Sequence, residues 1–151
     1  MTAAVTFALL LVLFTATFHY GVLRWLSSGM AGIAMKATRR VLCIVFVIIV
    51  AHLAEIVLYA AIYALAAEVL GIGSFGGVAV SAPLDFLYFS IVTYTSLGLG
   101  DVYPGGHPRF IAGVEALNGL LLIAWSASFI YLAMGRLWPW ESCAEPGRTS
   151  D

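Results

Sequence analysis

Three long apolar stretches organise the chain. They run from about Ala3 to Trp25, from about Val41 to Leu70 and from about Arg109 to Leu137. Each is long enough to cross a bilayer as a helix, which takes roughly 20 apolar residues. The second, at about 1.5 Å per residue, exceeds the hydrocarbon thickness and should tilt or protrude. Between the second and third lies a different pattern. GIGSFGG (71–77) is glycine-rich and reads as a loop. Ser81 offers a helix N-cap ahead of Pro83, and Leu84 to Tyr94 is a short apolar helix, too short to cross. A short apolar helix between two spans, followed at once by glycines, reads as a re-entrant segment. No internal repeat is present, so each chain has one such segment.

Composition agrees with this pattern. Of 151 residues, 62% are hydrophobic and only 10% are charged, and the mean hydropathy is +1.01, far from the balance that a water-covered surface needs. The expectation is an all-α integral membrane protein. The first 23 residues hold no Asp, Glu, Lys or Arg, so the basic start of a signal peptide is missing and the first stretch is expected as a retained helix. Arg24, Lys36, Arg39 and Arg40 cluster between the first two stretches, and Arg136 follows the third. The positive-inside rule then puts the N-terminus outside, the basic loop inside, 71–108 outside and the C-terminus in the cytoplasm. The formal net charge of -1 suggests no nucleic-acid partner. Cys43 and Cys143 belong to no CxxC pair and read as free thiols, with Cys43 a core filler.

The chain's few polar and flexible residues concentrate in TYTSLGLGDVYP (93–104). Non-helical backbone at membrane depth is tolerated only where protein buries it or water reaches it. Alternating glycines adopt conformations that L-residues resist, so successive carbonyls can point one way. Several such strands around an axis would form rings of carbonyl oxygens that replace a cation's hydration shell. The preceding helix would aim its partly negative C-terminal end at the same space.

A helix, then TSLGLGD, then a spanning helix resembles the pore domain of the potassium channel superfamily. AHLAEI (51–56), YFSIVTYTSLGLGD (88–101) and EALNGLLLIAWS (115–126) together resemble small bacterial ion-channel proteins with one pore loop per chain. The resemblance covers roughly residues 41–137 and implies a tetrameric potassium-channel pore architecture. It has an added transmembrane helix (1–26), a basic loop (27–40), an outer helix (41–70), a pore helix (84–94), a filter (96–100), an inner helix (109–137) and a short tail (138–151). By the same resemblance, carbonyls of Ser96, Leu97, Gly98, Leu99 and Gly100 form the ion-binding filter, and the Ser96 hydroxyl helps to form its innermost site. Tyr88, Phe89, Thr95 and Asp101 support it, with Tyr88 and Phe89 bracing it from behind. Gly119 falls at an inner-helix hinge, and Ile123, Ala127 and Tyr131 follow at fourfold spacing toward the cavity. The implied function is passive potassium conduction by a homotetramer among membrane lipids, in a bacterial inner membrane. Two departures bear on selectivity. Ser96 stands where the family carries Thr, and Leu99 stands where it carries Tyr, as in the second filter of some two-pore-domain potassium channels. Weak selectivity that admits sodium is the alternative, and a non-conducting scaffold with a channel-like fold is a second.

His52 and Glu55 sit three apart on one helix face, and Glu115 lies near the outer end of the third stretch. Ionisable groups in a span are costly and face protein or water. They read as a hydrogen-bonded brace, between helices or through Tyr94. A proton sensor, an ion-attracting group or a proton relay is the alternative. One His and one Glu are too few for a metal site, so no metal and no cofactor beyond the permeating ion is expected. Asn118 reads as a helix–helix hydrogen bond. Trp25, Trp138 and Trp140 read as interfacial anchors, Arg109 as a salt-bridge partner and Asp85 as a first-turn carboxylate. No Ser/His/Asp or Cys/His constellation argues for an enzyme. No stretch reads as an arginine-rich voltage-sensor helix, and no regulatory domain large enough to bind nucleotide or calcium is expected.

Overall fold

The three apolar stretches form three long helices in the computed structural model, which describes residues 2–29 and 34–137. Helix α1 spans Thr2–Gly29. Helix α2 spans Ala37–Ala64 and continues through a π-helical turn at Leu65–Val69. Helix α3 spans Pro83–Tyr94, and α4 spans Pro108–Leu137. The expected tail, with Trp138, Trp140 and Cys143, lies outside the described residues.

Helix α2 begins four residues before the expected start at Val41. It takes Arg39 and Arg40 into its first turns, and the Arg40 N–H bonds the Lys36 carbonyl at 3.1 Å. No glycine or proline stops the helix there, and long basic side chains at a helix end can reach water. The candidate spans are Val5–Gly29, Ala37–Val69 and Pro108–Leu137. The second has 33 residues, or about 50 Å of helix, against roughly 30 Å of hydrocarbon. Only 22–28% of each span's most apolar window is buried, so most of their side chains look outward. Leu13, Phe46 and Leu117 are among these exposed apolar groups, a surface suited to lipid or a neighbouring subunit. Cys43, expected as a core filler, is exposed too.

The glycine-rich segment is not a simple loop. Gly73–Gly77 forms strand β1 and pairs antiparallel with β2, Val102–Gly106, in the register Gly73 to Gly106 and Gly77 to Val102. The small residues let this ribbon lie close to its neighbours: a side chain at Gly76 would meet the Tyr103 ring, and one at Gly73 the Pro108 ring. The ribbon ties together the two ends of the segment that contains α3 and TSLGLGD.

Helix α3 packs between α2 and α4, while α1 lies mainly along α4 and also against α2. One apolar core surrounds α3, with Tyr59, Tyr63, Phe86, Phe89 and Ile111 buried. A second lies toward the basic end, where Leu23 and Leu26 of α1 meet Ile44 and Ile48 of α2. Arg40 and Arg136 line one cleft there, so the end of α4 and the start of α2 share that end of the molecule.

Candidate functional site

The N-cap of helix α3 is Ala82, not Ser81. The Ala82 backbone is extended, Pro83 enters the first turn, and Asp85 reaches back to accept the N–H groups of Ser81 and Ala82, both at 2.8 Å. Those two bonds favour the ionised form and hold the Asp85 carboxyl below its ordinary range. The proline cannot donate, and the carboxylate occupies donors that would otherwise be unpaired at the helix start.

At the other end the chain folds back under its own helix. The N–H groups of Ser96 and Leu97 reach the carbonyls of Thr93 and Val92 at 2.9 Å, and the Gly98 N–H reaches Val92 at 3.3 Å. In a planar trans peptide the N–H and the preceding C=O point in opposite directions. Fixing these N–H groups on the helix end therefore turns the carbonyls of Thr95, Ser96 and Leu97 away from it. The backbone then alternates: φ is +57° at Ser96, +56° at Gly98 and +77° at Gly100, and it is not positive at Leu97 or Leu99. Ser96 is the one non-glycine residue with positive φ among the described residues. Alternating hand along a short strand directs successive carbonyls to one side. The Leu97 and Leu99 side chains are exposed in the single chain.

Asp101 closes this strand. It accepts the Tyr88 hydroxyl at 2.7 Å and its own neighbour Val102 N–H at 3.0 Å, and its backbone carbonyl takes the Val78 N–H at 2.8 Å. The hydrogen bond to the carboxylate raises the Tyr88 phenol above its ordinary range. Phe89 does not share this position. Its ring packs in the core, 5.0 Å from Tyr63 and 5.1 Å from Phe75, because neighbours on a helix point about 100° apart. Thr95 turns its hydroxyl to the Ile91 carbonyl at 2.7 Å. The Ser96 hydroxyl leans on the Ala116 carbonyl of α4 at 3.4 Å. Helix α4 runs unbroken through Gly119, which is buried. A side chain there would overlap the Tyr94 carbonyl, so in this structure the glycine permits close packing. Ile123, Ala127 and Tyr131 are exposed in the single chain.

Behind the strand lies a polar core. His52 Nδ1 is 2.8 Å from the Tyr94 hydroxyl, which donates to Glu55 Oε2 at 2.5 Å. His19 Nδ1 is 2.9 Å from Glu55 Oε1, and the Nε2 atoms of His19 and His52 both meet Ser126 Oγ, at 2.9 and 3.0 Å. Glu115 accepts the Tyr63 hydroxyl at 2.5 Å and meets Ser90 at 2.6 Å. Asn118 donates to Thr15 at 2.8 Å and to Tyr59 at 3.2 Å. Reasoning from sequence found His52, Glu55, Glu115 and Asn118 but missed His19, Thr15, Tyr59, Tyr63, Ser90 and Ser126. An ionisable residue inside the first apolar stretch was the available signal for His19.

His19 also changes the metal argument, since His19, His52 and Glu55 bring ligand atoms within 4.8 Å of one another. Three ligands suffice for a site where two did not. Neighbouring ligands on a tetrahedral ion with bonds of about 2.0–2.1 Å would stand about 3.3 Å apart. Within the triad His19 Nδ1 lies 2.9 Å from Glu55 Oε1, which is hydrogen-bond spacing, and His52 Nδ1 lies 3.3 Å from Glu55 Oε2, while the Tyr94 hydroxyl stands closer to both, 2.8 Å from His52 Nδ1 and 2.5 Å from Glu55 Oε2.

Comparison with known proteins supplies the remaining step. No curated protein and no solved structure matched the chain. A family model described as "Ion channel" matches residues 7–135, a stretch that includes all of α2, α3 and the 96–101 segment. That is a family of ion channels and not of enzymes, and its members generally assemble as oligomers. With most of its length matched and three helices fit to span a membrane, the chain is an integral membrane protein that belongs to the ion channel family of two-transmembrane potassium channel pores.

Proposed function

We propose that this protein is a passive, potassium-selective channel that conducts through a homotetramer. The observation that carries the reading is the alternating backbone of Ser96, Gly98 and Gly100 at the end of a short helix whose Val92 and Thr93 carbonyls are already occupied. Four copies around an axis would offer stacked rings of carbonyl oxygens from Ser96, Leu97, Gly98, Leu99 and Gly100, and such rings substitute for a cation's water shell. Asp101 and Tyr88 would hold the outer end. The exposed Leu97 and Leu99 would be covered by neighbouring subunits, and Ile123, Ala127 and Tyr131 of α4 would face the cavity. Arg40 and Arg136 share one end of the molecule, which favours that end as cytoplasmic and the ribbon end as external, with the N-terminus outside, in a bacterial inner membrane.

Weak selectivity that admits sodium is the second reading. It is favoured by Leu99, whose side chain has no hydroxyl to tie the upper filter to its surroundings, and by the Ser96 hydroxyl, which leans on Ala116. Ion flux into proteoliposomes under opposed potassium and sodium gradients tests both. Potassium-driven flux that disappears in Gly98→Ala, with the oligomer intact, is the expected result. Sharper rejection of sodium in Leu99→Tyr would assign any weak selectivity to the leucine. Intact oligomers that pass neither ion would overturn the channel reading in favour of a scaffold.

A further inference from the structure

The polar contacts behind the strand form a closed ring. Going round it, Glu55 meets His19, His19 meets Ser126, Ser126 meets His52, His52 meets Tyr94, and Tyr94 returns to Glu55. The five distances run from 2.5 to 3.0 Å, and the members come from all four helices: His19 from α1, His52 and Glu55 from α2, Tyr94 from α3 and Ser126 from α4. Glu55, His19 and Ser126 are buried.

Five hydrogen bonds need five protons. An ionised Glu55 brings none. Two neutral imidazoles bring one each, and Tyr94 and Ser126 bring one each, which leaves one contact without a proton. A single further proton, on the carboxylate or on an imidazole, completes the ring. The closed ring is then neutral overall, the state that least penalises burial at membrane depth. With Tyr94 donating to Glu55, the count closes as each remaining member donates to the next, Glu55 to His19, His19 to Ser126, Ser126 to His52 and His52 to Tyr94, and removal of any member breaks two contacts.

The ring has one mechanical output. Tyr94 is the last residue of α3 and stands two residues before Ser96. Its backbone carbonyl packs on Gly119 and its hydroxyl is held by Glu55 and His52. The Glu55 carboxylate is in turn fixed on its other oxygen by His19. Thus a run of contacts leads from a side chain on the first helix, through one carboxylate, to the residue at which α3 ends.

We infer that His19 is a positioning residue for the ion filter, and that the first helix is a working part of the pore through this proton-closed ring. The inference rests on the channel reading above. The test is the same flux assay on wild type, His19→Ala, His19→Gln and Ser126→Ala, with oligomers checked by size exclusion. Wild type without flux would remove the channel reading itself. With wild type active, His19→Ala is expected to lose about tenfold in potassium-over-sodium discrimination, the upper scale of one ordinary intramolecular hydrogen bond. His19→Gln, whose amide both donates and accepts, is expected to recover most of it. Unchanged discrimination in His19→Ala, or equal loss in the glutamine variant, would overturn the inference. If His19→Ala fails to assemble, Ser126→Ala opens the ring from the opposite side with a smaller change, and wild-type discrimination there would overturn it too. Zinc added to the wild type is the remaining arm. Inhibition that depends on His19 would replace the ring with a metal site, whereas no such effect is expected.

Discussion

Single residues divide here into those that need a special backbone and those that need room. Gly98 and Gly100 belong to the first kind. A side chain at either would meet nothing within 4 Å in the single chain, yet both sit at positive φ, where an L-residue costs roughly 1–2 kcal/mol. Ser96 already bears that cost at φ +57°, and its neighbours' N–H bonds to the helix end help to hold it there. Gly119 belongs to the second kind. It is helical, but a methyl group there would strike the backbone carbonyl of Tyr94, which cannot move aside by a change of rotamer. Gly119→Ala is therefore expected to destabilise the folded oligomer by about 1–3 kcal/mol. Gly113, in the same helix, has open space where a methyl would go, so Gly113→Ala should be neutral or stabilising by up to about 1 kcal/mol. Thermal unfolding in detergent checks the pair. Equal effects from the two substitutions would remove the packing role of Gly119.

Among the elements, legibility in the sequence follows the range of the interactions that shape each one. The three long helices are legible because a run of about 20 apolar residues has few other uses. The turn of backbone at 96–100 is legible because glycine spacing is a local property. The β ribbon is not legible, because GSFGG and VYPGG have no alternating pattern and form strands only by pairing with each other. Least legible is the role of α1, since His19 finds its partners 36 and 107 residues away. The joint between α2, α3 and α4 shows the same dependence on distant partners. Ser90 lies 2.9 Å from the Ile56 carbonyl and 2.6 Å from Glu115, but has one proton to give. An amide at position 115 would supply the second proton to Ser90 and still accept from Tyr63. Glu115→Gln should thus unfold close to wild type, whereas Glu115→Leu, which strands the Tyr63 hydroxyl, should lose about 1–3 kcal/mol. Similar losses in both would mean that charge, and not hydrogen bonding, is what the joint requires.

On the channel reading, one chain is an incomplete molecule. Its strand of carbonyls has no opposite side, Leu97 and Leu99 are uncovered, and apolar side chains on all three long helices look outward. On the proposed channel reading, one pore segment per chain and an ion site with ligands on every side call for closed rotational symmetry, and the proposed number is four. The number can be read without resolving the assembly, because a filter ring built from every subunit fails when any one of them is faulty. Coexpression of equal amounts of wild type and Gly98→Ala should give random mixtures. If one defective strand stops conduction, the surviving flux is the fraction of all-wild-type rings, about one sixteenth for a tetramer and about one quarter for a dimer. Flux that falls only to about one half would mean that each chain conducts independently, and the shared filter would then be wrong. Varying the ratio of the two chains turns the test into a curve whose exponent is the subunit number. A fourth-power dependence is the expected outcome.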